Sequence, residues 1–151
     1  FLGATKVVND HRGRFRGIDV APRWSKLIDQ ELATFLYKEE LFGKWYHEII
    51  PEELGSLLDQ YNGPASIDAM VWRDSDGKLR LRKVVELNVR MTMGRVALDL
   101  QKKMAANKFC GLRIEKKSNY HEGEGLVLND PEKAIEFLAV WKVNQNEIIR
   151  N

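Results

Sequence analysis

Ser66-Ile-Asp-Ala-Met-Val-Trp-Arg-Asp-Ser-Asp-Gly-Lys-Leu-Arg-Leu-Arg-Lys-Val-Val-Glu-Leu-Asn-Val-Arg90 reads as two strands around a turn. Asp74-Ser75-Asp76-Gly77 separates two runs rich in β-branched and aromatic residues, the pattern of a hairpin. With Ser75-Asp76-Gly77 as a three-residue loop and Gly77 left-handed, Asp74 pairs with Lys78. Counting outward, Asp68 is expected to pair with Val84. Opposed residues share a face and side chains alternate with period 2. One face is then Ile67, Ala69, Val71, Leu79, Leu81, Lys83, Val85 and Leu87, which suits a core. The other is Asp68, Met70, Trp72, Arg80, Arg82, Val84, Glu86, Asn88 and Arg90. A two-residue loop would put Asp68 and Glu86 on opposite faces.

Oxygen ligands on one wall of a sheet, beside an arginine, suit a hard divalent cation holding phosphate. Mg²⁺ prefers octahedral oxygen ligands, keeps several waters and bridges one or two carboxylates to substrate phosphates. Glu86 and Asn88 reach the same side of one strand, and Asp68 lies on its neighbour, diagonal to Glu86. Asp68, Glu86 and Asn88 are the expected metal ligands for Mg²⁺ or Mn²⁺. Arg90 offers a planar fork to a phosphoryl oxygen and is the expected catalytic residue. Arg82 shares the face and is expected, with Arg90, to draw in and bind an anionic ligand. On spacing alone the same residues also fit the solvated face of a half-exposed sheet.

Asp68, an acidic-Gly turn and Glu86-x-Asn88-x-Arg90 together resemble the metal-binding end of the ATP-grasp superfamily, which includes D-alanine–D-alanine ligase. The resemblance covers about Gly63 to Met104. It implies that Asp68, Glu86 and Asn88 hold Mg²⁺ on ATP phosphates, and that Arg90 contacts phosphate or an acyl phosphate. It also implies an ATP-dependent ligase acting on a small carboxylate, with an amine or similar acceptor. The family's glycine-rich phosphate loop and paired lysines are not found here. Gly123-Glu124-Gly125 precedes a strand-like run rather than a helix start. The chain opens at Phe1 in a strand-like run, so it is expected to be the C-terminal piece of a longer polypeptide. Alone it would carry the metal half of a site and be inactive. Two alternatives remain. One is a non-catalytic ATP-grasp-like binding domain. The other is a metal-dependent nuclease, whose usual Glu-x-Lys is Glu86-x-Asn88 here.

Composition frames the rest. The 151 residues are 44% hydrophobic and 30% charged, with a formal net charge of +2. One globular domain spanning residues 1–151 is expected, without nucleic acid as partner. No apolar run approaches the ~20 residues that span a bilayer. The single Cys110 sits between Phe109 and Gly111; it is read as a small buried hydrophobe in a reducing, cytoplasmic setting.

The expected fold class is α+β, mainly antiparallel sheet with packed helices, like the ATP-grasp C-terminal subdomain. Ala4–Asn9 and Arg14–Val20 form a hairpin around Asp10-His11-Arg12-Gly13. A helix begins near Ser25, with Leu27, Ile28, Leu32, Phe35 and Leu36 on one stripe, and Gly43 interrupts it. A second helix runs from Pro51 to Tyr61. A third runs from Met93-Gly94 to about Asn107, aligning Val96, Leu100 and Met104. Leu112–Lys116, Leu126–Leu128 and Phe137–Val143 are strands, and Asp130 or Asn129 caps a turn at Pro131. His11, His47 and His121 are too scattered for a zinc site.

Overall fold

The protein is described from a computed structural model that covers residues 1–38 and 41–148. It is an α+β protein whose sheets are antiparallel. The chain divides into two compact units: Phe1 with Ile28–Thr92, and Leu2–Leu27 with Met93–Asn151.

The second unit holds a five-stranded sheet. Its strands are β1 (Lys6–Asn9), β2 (Phe15–Val20), β5 (Lys108–Lys116), β6 (Leu126–Val127) and β7 (Phe137–Ile148). Their spatial order is β1-β2-β5-β7-β6. Ile18 faces Leu112, Leu112 faces Trp141, Val20 faces Cys110 and Cys110 faces Val143. Opposed residues share a face, so these side chains form one apolar layer. Helix α3 (Met93–Met104) covers that layer and adds Ala97 and, just past its end, Ala105 to a core of Ile18, Val20, Cys110, Leu112 and Trp141. Leu138 and Val140 are buried on the other face, beside the Arg113–Asp19 and Lys142–Glu115 ion pairs. The expected α3 stripe shifts. Met104 is exposed, whereas Gln101 is buried and its amide donates to the Lys108 carbonyl at 3.0 Å. That bond fastens the α3–β5 connection, so a polar side chain gains more there than a methionine would. β7 also runs on to Ile148, beyond the expected end at Val143.

The first unit joins helical segments to a separate two-stranded sheet, β3 (Ser66–Arg73) with β4 (Leu79–Asn88). The helix expected from Ser25 begins later, within this unit. Trp24–Leu27, which belongs to the second unit, is a 3₁₀ turn, and α1 of the first unit spans Gln30–Lys38. Asp29 sets that start: its carboxylate accepts from the Leu32 amide at 2.8 Å. Glu39 and Glu40 lie outside the described residues. Gly43 does not interrupt the helix expected from Ser25; α1 ends at Lys38, and Gly43 lies inside a separate π-helix, Leu41–Ile49. α2 (Ile50–Leu57) continues it, with Pro51 in the first turn, and ends earlier than the expected Tyr61. Among the described residues, no helix is long and apolar enough to cross a membrane.

Candidate metal and phosphate site

The turn between β3 and β4 has the expected form. Asp74 N–H donates to the Lys78 carbonyl and Gly77 N–H to the Asp74 carbonyl, each at 3.0 Å, and Gly77 has φ +76°. From this turn the ladder runs regularly through Trp72 opposite Arg80 and Met70 opposite Arg82.

Beyond Met70 the register changes. Asp68 stands opposite Glu86, not opposite Val84 as the sequence suggests, and Ser66 stands opposite Asn88. Lys83, Val84 and Val85 of β4 together span the length of Ala69 on β3. This is a bulge of two extra residues. An even insertion keeps the parity of the strand, so Glu86 and Asn88 remain on the face of Asp68. It also changes the Asp68–Glu86 relation from diagonal to directly opposed, a spacing of about 4.5–5.5 Å between Cβ atoms.

The opposite face is less of a core than expected. Ile67, Val71, Leu79, Leu81 and Lys83 are half-buried, whereas Ala69, Val85 and Leu87 are exposed. Val85 lies within the bulge, Ala69 opposite it and Leu87 beyond it, where the regular alternation is interrupted.

The carboxyl of Asp68 is pushed above its usual value, first by partial desolvation on the sheet and then by the charge of Glu86. Arg90 and a hydrogen bond from the Asn88 side chain pull it down. These causes bring all four residues into one electrostatic cluster. Asn88 is buried at 7% exposure, and Asp68, Glu86 and Arg90 are open to solvent. Arg90 lies just after the end of β4. Arg82 faces Met70, two residues along the strand from Asp68, or roughly 7 Å. Trp72 is exposed on the same face, opposite Arg80. Ser66 belongs to this face as well. Its place two residues before Asp68 is the only sequence signal for it.

The donor set suits a hard cation with incomplete protein ligation. Two opposed carboxylates and a neighbouring amide oxygen leave positions for water and phosphate, the pattern preferred by Mg²⁺. The like-charge crowding that raises Asp68 is what a bound dication would relieve. Among the described residues, no group of three His, Cys, Asp or Glu side chains is placed to hold a metal. A site here therefore needs the Asn88 amide and ligands from a substrate. His47 packs its ring against Phe1 at 4.2 Å and against Phe42 at 5.8 Å. Cys110 is buried among apolar residues, and burial pushes its thiol up to about 11.

No protein-family model matches the chain, and neither a curated protein nor a solved structure matches it.

Proposed function

We propose that this chain is the metal- and phosphate-binding half of an ATP-grasp-type ligase. The reaction would join a small carboxylate to an amine or similar acceptor through an acyl phosphate. The observation that carries the reading is the direct opposition of Asp68 and Glu86, with Asn88 and Arg90 in the same cluster. The structure supports this reading at the level of fold class alone, an α+β build with antiparallel strands.

In this reading Asp68, Glu86 and the Asn88 amide oxygen hold Mg²⁺ or Mn²⁺. When bound, such an ion supplies charge neutralisation on the transferring phosphoryl group. Asp68 and Glu86 fix its position from two adjacent strands. Asn88 steadies Asp68 through its hydrogen bond. Arg90 presents donors in a rigid plane to phosphoryl or acyl phosphate oxygens and stabilises the charge that develops there. Arg82 attracts the polyphosphate toward the same wall. A cytoplasmic setting, with ATP available and Cys110 reduced, fits this chemistry.

Titration of the isotope-labelled chain with Mn²⁺, with and without ATP, tests the assignment. Signals of Asp68, Glu86 and Asn88 should broaden before others, and ATP should tighten the response by adding phosphate ligands. Broadening centred on Glu122 and Glu124, or spread evenly over the surface carboxylates, would remove the basis for the site.

A further inference from the structure

The bulge that brings Glu86 opposite Asp68 has its own anchor. With three residues of β4 set against one of β3, the ladder cannot satisfy every backbone group of the bulge. The Lys83 carbonyl is satisfied from outside the sheet: it accepts from the Tyr46 hydroxyl at 2.8 Å. The Lys83 ammonium lies 3.4 Å from the ring centroid of Trp45, a close cation–π contact. Trp45 and Tyr46 are consecutive residues of the π-helix Leu41–Ile49. One turn of that helix thus holds Lys83 by both its main chain and its side chain. Burial raises the pKa of the Tyr46 phenol, so it remains a protonated donor at neutral pH.

The register depends on where this bulge sits. Continuing the Met70–Arg82 ladder without it would put Val84 opposite Asp68 and Glu86 opposite Ser66. Glu86 would then lie two residues, roughly 7 Å, farther along the sheet. Mg²⁺ demands oxygen ligands at about 2.0–2.1 Å, so a displacement of that size separates the two carboxylates from any common ion.

We propose that Tyr46 and Trp45 are positioning residues for the Asp68–Glu86 site, seating Lys83 so that β4 gains the two-residue offset that opposes the carboxylates. The functional meaning of this step rests on the metal-site reading above; the register claim does not. A tyrosine and a tryptophan that contact Lys83 become determinants of metal affinity.

The 151-residue chain carries the test. Tyr46→Phe keeps the ring and removes only the hydroxyl. Lys83→Met removes the cation and keeps the stem, and Lys83→Arg restores a cation over Trp45. Two readouts apply to each variant: cross-strand nuclear Overhauser contacts of Asp68, and Mn²⁺ affinity from paramagnetic broadening. Tyr46→Phe and Lys83→Met should weaken the Asp68–Glu86 contact and bring up an Asp68–Val84 contact. They should lower Mn²⁺ affinity about tenfold, the effect typical of groups that orient a metal ligand. Lys83→Arg should restore both, and signals of the five-stranded sheet should not move. Wild-type contacts and affinity in both Tyr46→Phe and Lys83→Met overturn the proposal. If Mn²⁺ never reaches Asp68 and Glu86 in the unaltered chain, the metal reading falls. The Overhauser contacts alone then uphold or overturn the anchoring.

Discussion

Asp68 and Glu86 face one another directly across β3 and β4, two carboxylates on one open wall of a sheet. Their repulsion adds to partial desolvation in raising the Asp68 pKa in the folded chain. A raised carboxyl pKa makes the ionised form a cost to the fold. That cost is full above the folded-state value and disappears as pH falls toward the ordinary value of 3.8. Asp68→Asn should therefore stabilise the metal-free chain at neutral pH. Asp68 is exposed and screened by water, so the gain should be no more than about 1 kcal/mol. Denaturation midpoints of the two proteins, followed from pH 7 downward, should converge near pH 4 (about the ordinary carboxyl value). A variant less stable at pH 7, or a gap that widens in acid, would contradict the crowded pair.

Glu86→Gln and Leu87→Ala separate the site from the scaffold, and the exposure of Leu87 sets the scale. A fully buried leucine loses about 2–5 kcal/mol on truncation to alanine. Leu87 is 38% exposed, so Leu87→Ala should cost only about 1 kcal/mol. Leu112 is 0% exposed at the centre of the five-stranded sheet, and Leu112→Ala should cost the full 2–5 kcal/mol. Glu86→Gln should leave stability near that of the unaltered chain while removing Mn²⁺ binding. Urea unfolding, followed by signals from the unit that carries each change, measures all three. Equal losses for Leu87→Ala and Leu112→Ala would mean that the hairpin has a deeper core than its surface exposure indicates.

The sequence makes some of this legible and hides the rest for physical reasons. Asp10 to Gly13 and Asp74 to Gly77 declare their turns because few residues other than glycine accept a positive φ. Cys110 between Phe109 and Gly111 declares its burial. The bulge at Lys83–Val85 is silent, since two extra residues preserve the alternation of β4 and leave the apolar-polar pattern unchanged. The faces of Asp68 and Glu86 could therefore be read, but not their direct opposition. Tyr46 was invisible because its hydroxyl meets a carbonyl 37 positions away. Gly43 misled because a helix-weakening residue is tolerated where the ladder changes to π geometry and aromatic contacts such as Phe42 with Tyr46 hold the segment. Gln101 and Asn88 were missed as buried positions because a polar side chain signals burial only once its partner is known.

Both hairpins are built on one device, Asp-x-x-Gly-x-x-Arg. Asp74 Oδ1 accepts from the Asp76 and Lys78 amides at 3.0 and 2.9 Å, and its Oδ2 accepts from Arg80 at 2.8 Å. Asp10 repeats the pattern with the Arg12 and Arg14 amides at 2.9 and 3.0 Å and with Arg16 at 3.0 Å. Arg80 is the main cause lowering the Asp74 carboxyl; the Arg14 amide is the main cause at Asp10. These contacts therefore favour the fold above pH 3.8 and are lost as pH falls through the lower folded-state values. Gly13 and Gly77 have φ +75° and +76°, and a Cβ at either would meet no atom within 4 Å. Any loss on substitution is thus backbone strain rather than a clash. Gly77→Ala and Gly13→Ala should each cost about 1–2 kcal/mol, the penalty of a left-handed conformation for an ordinary residue. Gly77→Asn should cost less, because asparagine visits that region more readily. Amide exchange at Asp74, which donates to the Lys78 carbonyl, reads the turn at Gly77, and exchange at Asp10, which donates to the Arg14 carbonyl, reads the one at Gly13. Alanine and asparagine variants of Gly77 that exchange equally fast at Asp74 would show that Gly77 is present for a reason other than its backbone angle.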